Sequence, residues 1–282
     1  MARDETVLPD FAHPPVVEVV LGMQFEPLAD LKMRHFGLLW RELFSRYPQT
    51  EDLPPLQQAV ERFGAGPQVS DGPKIELSES MPLPRCWYIN DPGTQLVQVQ
   101  RDRFVCNWKK QAREDEYPRY ENIRDTFRRE AEVFATFVER QSLGEINPNQ
   151  CEVTYVNLIE PGPNWSDPGE LGQVLTVFDP RYSEPFLPEI EHAEIGLRYV
   201  IPGPGPEDPV GRLRVNIRPV FRSHDGVPLF RLQMMARGQP LGEGLDGVVS
   251  FFNLGREWIV RGFAAITETE MHRVWGRHDG GS

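Results

Sequence analysis

The sequence predicts an α+β fold in which one unit is written twice: a strand, a helix, three antiparallel strands and a long helix, with saddle-like sheets backed by helices. Three observations lead there. The runs "VVLGMQFEPL" from Val19 and "TYVNLIEPG" from Thr154 read alike, each apolar and each ending in Glu-Pro. Each half then carries alternating segments separated by Pro and Gly turns. Each half also contains a long stretch with apolar residues at helical spacing. The boundary falls between residues 1–148 and 149–282, with a pseudo-twofold axis relating the halves. Two sheets or one continuous saddle both satisfy this pattern.

In the first half, His13-Pro14-Pro15 stiffens the entry to a strand in which Val17, Val19, Leu21, Met23 and Phe25 alternate with Glu18, Gln24 and Glu26. Pro27 lacks the N–H that a ladder needs and ends it. Phe36, Leu39, Trp40, Leu43 and Tyr47 recur at helical spacing up to Pro48. Residues 48–84 form a long irregular excursion, with a short helix on Leu56, Val60 and Phe63. "CWYINDPGTQLVQVQRDRFVCNWKK" reads as three strands, the first turn being Asp91-Pro92-Gly93. The stripe Ile123, Phe127, Ala131, Phe134 and Val138 makes the next segment a long amphipathic helix.

The second half repeats the order. A strand over 152–160 is followed by Asp167-Pro168-Gly169-Glu170, an N-cap with proline at the first helical position and an acid three residues on. A helix is expected over 171–178. Three strands follow, "IGLRYVI", "GRLRVNIRPVFR" and "LFRLQMMAR", the last two turned at His224-Asp225-Gly226. A long helix rests on Val248, Phe252, Ile259, Phe263 and Ile266. Thr267-Glu268-Thr269-Glu270 has the pattern of a capping box opening a last short helix that stops at Gly276.

The net charge of −12 disfavours general binding to nucleic acid or to an anionic membrane and leaves room only for a local basic patch. The opening residues lack the apolar segment of a secretory leader, and no apolar run reaches membrane-spanning length. Cys86, Cys106 and Cys151 are widely spaced and odd in number, as suits apolar packing in a reducing cytoplasm.

"HPPVVEVVLGMQFEPL", "YPRYENI", "YVNLIEP" and above all "FNLGREWIVRGFAAITETEMHRVWGR" resemble a family of sporadically distributed bacterial proteins of unknown function. The resemblance spans nearly the whole chain. It implies a bacterial cytoplasmic protein from accessory loci, such as mobile-element, toxin–antitoxin or defence genes, and brings no catalytic residues with it. The order of elements is also similar to the tandem saddle of TATA-binding proteins, at the level of topology alone.

Enzyme chemistry finds little footing. His192-Ala193-Glu194 has the spacing of zinc deaminases without their Cys pair, and reads as a solvated loop. No serine or cysteine sits at a nucleophile elbow, and the prolines of "GPGPEDPVG" remove the N–H groups a phosphate loop needs. Glu18, Glu26, Glu152 and Glu160 would pair for acid–base work only if the two opening strands brought them together. No metal, cofactor or membrane partner is expected.

One pattern stands out. Arg212, Arg214 and Arg218 alternate with Leu213, Val215 and Ile217, and Arg198 and Arg231 do the same on neighbouring strands. Strand pairing would gather all five on one sheet face. Two readings stand. The chain's own acids, such as Glu243, Glu257 or Glu207-Asp208, cover them, or the face recognises an anion: an acidic protein partner, nucleic acid or a phosphorylated ligand. The expected function is that of a non-enzymatic binding or regulatory protein, in the manner of an antitoxin or sensor. The alternative is an enzyme acting on nucleic acid or nucleotides through the arginine face. The oligomeric state is left open.

Overall fold

Pairing of the alternating segments builds one nine-stranded antiparallel sheet in the computed structural model, which describes residues 7–63, 83–178, 186–188, 190–205 and 208–279. The elements are β1 (Pro9–Phe11), β2 (Val16–Phe25), α1 (Met33–Leu43), β3 (Gln49–Leu53), β4 (Arg85–Ile89), β5 (Gln95–Gln100), β6 (Arg103–Lys109) and α2 (Tyr120–Arg140). They continue with β7 (Pro148–Ile159), a 3-10 helix (Pro168–Gln173), β8 (Ile195–Ile201), β9 (Gly211–Phe221), β10 (Pro228–Gly238), α3 (Gly244–Ile266), α4 (Thr269–Val274) and β11 (Arg277–Asp279). The large sheet runs β3-β4-β5-β6-β2-β7-β10-β9-β8, and β1 pairs with β11 separately.

The fold is α+β, and the sheet is continuous. β2 and β7 pair antiparallel at its centre, with Leu21 opposite Val153. Outward from that seam both halves add their last strand first: β6, β5, β4 on one side and β10, β9, β8 on the other. Strand alternation then sorts the two faces. Val19, Leu21, Met23 and Phe25 of β2, Phe104 and Cys106 of β6, and Val153 and Tyr155 of β7 are buried beneath the helices. α2 and α3 meet over the seam, where the rings of Phe127 and Phe252 stand edge to face at 4.8 Å. The opposite face bears no helix among the described residues.

Several local expectations are corrected. The segment after Asp167 caps as expected, with Asp167 accepting from the Gly169 N–H at 2.8 Å, but it forms only a six-residue 3-10 turn. The β-branched Val174, Thr176 and Val177 favour helix weakly, and Leu175 instead bridges to Thr267. Thr267 does not cap the start of α4, whose N-cap is Glu268; it ends α3, and its hydroxyl donates to the Phe263 carbonyl and lies 2.8 Å from His272 Nε2. β3 lies inside the expected excursion and pairs with β4 although its residues are mostly exposed and polar. The remaining part of that excursion, 64–82, falls outside the described residues. No helix forms on Leu56, Val60 and Phe63; that stretch has no regular secondary structure, for a reason given below.

Two features generate tests of the packing. Gly211 and Gly238 face each other across β9 and β10, and a Cβ on Gly238 would stand 2.6 Å from Cε2 of Phe251 and 2.1 Å from the Val210 carbonyl. Gly238→Ala is therefore expected to lower stability by about 2–3 kcal/mol in urea unfolding. Gly196→Ala, with nothing within 4 Å, is expected to stay within about 0.5 kcal/mol of wild type. The second feature is Glu130, whose side chain is 0% exposed and is gripped by Arg46 at 2.9 and 2.7 Å, with Arg129 at 3.0 Å. Arg46→Met is expected to cost about 2–3 kcal/mol, because one charge loses its main partner out of water. The double change with Glu130→Leu is expected to recover most of that loss, since no buried charge remains.

Candidate anion-binding face

The pleat that buries Leu213, Val215 and Ile217 of β9 sends Arg212, Arg214 and Arg218 to the opposite face. Register carries the neighbours with them. Arg198 of β8 stands opposite Arg214, Arg231 of β10 opposite Arg218, and Arg237 of β10 opposite Arg212. All five arginines singled out in the sequence share this face. Arg237 joins them, and the same alternation in "LFRLQMMARG" signals it.

Their partners differ. Arg212 and Arg214 close on the carboxylate of Glu61, with Arg214 Nε 3.0 Å from Oε1. The Glu61 side chain is 1% exposed, and Phe63 lies over the Arg212 guanidinium at 5.0 Å from its ring centroid. Arg237 pairs with Glu152 at 3.0 Å. Arg231 donates to Gln233 at 2.7 Å; burial and the facing Arg218 both push its pKa down, against the pull of Glu18. Arg198 and Arg218 are exposed, and among the described residues no carboxylate pairs with either.

Glu61 reaches the arginines because residues 54–63 lie across the face. Glutamines of β5, β2 and β7 hold them there. Gln100 accepts from the Leu56 N–H at 2.8 Å and donates to its carbonyl at 2.6 Å. Gln24 makes the same two-way exchange with Ala59, 2.9 Å in each direction. Gln150 accepts from the Glu61 N–H at 3.0 Å. Each amide thus does what a neighbouring strand would do for that backbone, which is why the segment needs neither helix nor strand. Arg103 adds bonds to the Gln57 carbonyl and to Gln24, both at 2.9 Å.

The acids nominated from sequence are elsewhere. Glu257 pairs with Arg261 along α3 at 3.1 Å, Glu243 precedes α3, and no ion pair joins Asp208 to the arginines among the described residues. Glu207 lies outside the described residues. The four strand-end glutamates also stay apart. Glu152 goes to Arg237, Glu26 accepts from Asn149 at 3.2 Å, Glu18 accepts from Asn107 at 3.0 Å, and Glu160 lies 4.0 Å from Arg222. No acid–base pair forms among them. His192 and Glu194 are exposed and 3.5 Å apart, and among the described residues no group of three His, Cys, Asp or Glu is placed so as to hold a metal ion. No helix among these residues is long and apolar enough to cross a membrane.

A groove of about 1010 Å³ lies where β6, β2 and β7 end, and Lys109, Lys110, Arg113 and Arg222 line it. Arg222 sits 3.4 Å from Asp225, while no carboxylate pairs with Lys109, Lys110 or Arg113 among the described residues. The basic character of the face therefore extends past the arginine rows to this edge.

Glu61→Gln is expected to leave Arg212 and Arg214 without their carboxylate and to lower stability by about 1–2 kcal/mol, read as the urea midpoint. Arg214→Gln is expected to cost less, because Arg212 still holds the acid. Cys86, Cys106 and Cys151 are free and buried, and burial raises each thiol far above its ordinary pKa. The reactive thiolate is thus suppressed throughout the neutral range, and a thiol reagent is expected to label none of the three until denaturant is added. No family model matches the chain, and no curated protein is similar to it.

Proposed function

We propose that the protein is a non-enzymatic binding protein whose open sheet face holds an acidic segment of a protein partner. The observation that carries this reading is the Glu61 arrangement. An extended stretch lies across the strands, its backbone answered by side-chain amides and its carboxylate seated between Arg212 and Arg214. Beside it, Arg198 and Arg218 offer the same planar donors and pair with no carboxylate among the described residues. Arg218 and Arg231 face each other directly, a like-charge pair that a partner's carboxylate would relieve. A partner strand carrying acids at alternate positions meets both requirements. The net charge of −12 keeps the basic surface local, so recognition depends on this face and not on bulk attraction. In this reading the protein serves as the antitoxin-like or sensing member of an accessory system.

A second reading, nucleic acid or nucleotide chemistry on the same face, draws on Lys109, Lys110 and Arg113 at its edge. The test is fluorescence anisotropy with a labelled peptide of alternating Glu and Val and with a labelled single-stranded oligonucleotide, at low and moderate salt. The peptide is expected to bind, to weaken as salt rises, and to lose about tenfold or more in affinity in Arg218→Gln/Arg231→Gln. The melting temperature of that variant is expected to stay near wild type, since neither arginine holds a buried acid. Preferential oligonucleotide binding that depends on Lys109 and Lys110 favours the second reading. Binding of neither probe removes the face from the functional account.

A further inference from the structure

On the helix side of the sheet, away from the arginines, a cavity of about 320 Å³ opens between β1, the start of α2, α3 and the seam strands β2 and β7. Its size falls at the lower end of the roughly 300–1,000 Å³ range of small-molecule sites. Phe11, Val16, Ile259, Val260 and Phe263 give it apolar walls.

Its floor is polar and incompletely bonded. Tyr155 and Asn157, two residues apart on β7, are both buried and both line the cavity. The Tyr155 hydroxyl lies 3.1 Å from that of Tyr117. Two phenols bring two hydrogens, and one hydrogen closes this bond; the other meets no acceptor among the described residues. Asn157 donates to the Leu232 carbonyl only at 3.4 Å, and its Oδ1 accepts from no group among the described residues. Neither phenol oxygen nor Asn157 Oδ1 is sealed in the core without a partner; they open onto the cavity, where a guest with matching atoms can bond to them directly. The backbone at the mouth is also strained. Arg119, the residue before α2, has φ 70° and ψ 155°, a conformation nearly reserved for glycine and costing about 1–3 kcal/mol. It is held there by bonds from its guanidinium to Asp10 at 2.9 Å and to the Phe11 carbonyl at 3.2 Å. Arg256, paired with Glu121 at 3.1 Å, stands on the other side of the mouth.

We propose that this cavity binds a small planar apolar molecule that carries a carbonyl or carboxylate oxygen. The apolar walls take the body of the molecule. The spare phenol hydrogen of the Tyr117–Tyr155 pair donates to its oxygen, and Asn157 Oδ1 receives any N–H beside it. The phenols remain neutral donors, because burial pushes both pKa values upward. Arg119 and Arg256 are each matched by one acid but keep further N–H donors, so the mouth accepts an anionic or a neutral head.

The test uses the full chain and three probes: 2-naphthoate, 2-naphthamide and naphthalene, followed by ligand-detected NMR and calorimetry. The two head-bearing probes are expected to bind at least about tenfold more tightly than naphthalene, the worth of roughly one hydrogen bond to a buried group. Tighter binding of the naphthoate assigns the ligand as a carboxylate, and tighter binding of the naphthamide assigns it as a neutral carbonyl compound. Tyr117→Phe/Tyr155→Phe removes both hydroxyls and leaves no phenol hydrogen for the guest; it is expected to lose about tenfold in affinity for the head-bearing probes. Val260→Trp, which fills the cavity from a half-buried position, is expected to abolish binding. Equal binding of all three probes, wild-type affinity in the double phenol variant, or no binding by any probe would overturn the proposal.

Discussion

The antiparallel pairing of β2 with β7 is the interaction on which the rest of the structure depends. Every other strand of the large sheet is added outward from it, and both long helices rest over it. Without that seam the two half-sheets would each expose an unpaired edge and half of an apolar face, a condition that favours aggregation over folding. With it, Val19, Leu21, Met23 and Phe25 join Val153 and Tyr155 in a single core under α2 and α3. The aromatic contacts Phe25–Phe134, Phe104–Phe134, Phe104–Phe127 and Phe127–Phe252 then tie strands and helices of both halves together.

One consequence of the pleat is that burying one face of a strand dictates what the other face carries. In the first half the open face is made of amides, Gln24, Gln98, Gln100 and Asn107, and these bond to one another and to residues 54–63. In the second half it is made of arginines. The arginines repel one another, but at the surface, where the effective dielectric is high, that repulsion is moderate, and two carboxylates suffice to steady three of them. The glutamate that does most of this work is delivered by amides of both halves, Gln24 and Gln100 holding the stretch before it and Gln150 of β7 accepting from its own N–H. The first half thus supplies most of the hold on the strap, and the second half, helped by Gln150, receives its charge.

Much of this was legible in the sequence, and what was not has physical reasons. Strict alternation in "GRLRVNIRPVF" and "VVEVVLGMQF" exposes strand identity and facing, so the α+β class and the shared face of Arg198, Arg212, Arg214, Arg218 and Arg231 follow from local pattern alone. The partner of Arg212 and Arg214 is 151 and 153 residues away in the chain, in a segment with no periodicity, and nothing local marks Glu61 above Glu257 or Asp208. β3 was hidden for the opposite reason: an exposed edge strand of Gln, Thr, Glu and Asp has no buried face to impose alternation. Tyr155 and Asn157 were visible as members of an alternating strand, but the hydroxyl pair in the cavity depends on Tyr117, which comes from the loop before α2.

The small β1–β11 sheet explains why the C-terminal block is so rich in large side chains. Phe11 of β1 packs against Phe263 at 5.4 Å, His272 at 5.6 Å and Trp275 at 6.2 Å. The backbone of Ala12 and His13 is fixed to Gly276 and Trp275 by bonds of 3.1 and 3.0 Å. Trp275 is thus a packing residue, with its partner brought from the other end of the described chain. With β1 fixed in this way, Asp10 and the Phe11 carbonyl are positioned to hold the Arg119 guanidinium. That grip offsets the backbone strain where α2 begins, since a lone arginine would otherwise relax out of a glycine-like conformation. The entry angle of α2, and with it the cavity beneath its first turn, therefore depends on contacts made by the last helix and strand. Changes in α4 are felt at a site that its own residues do not line.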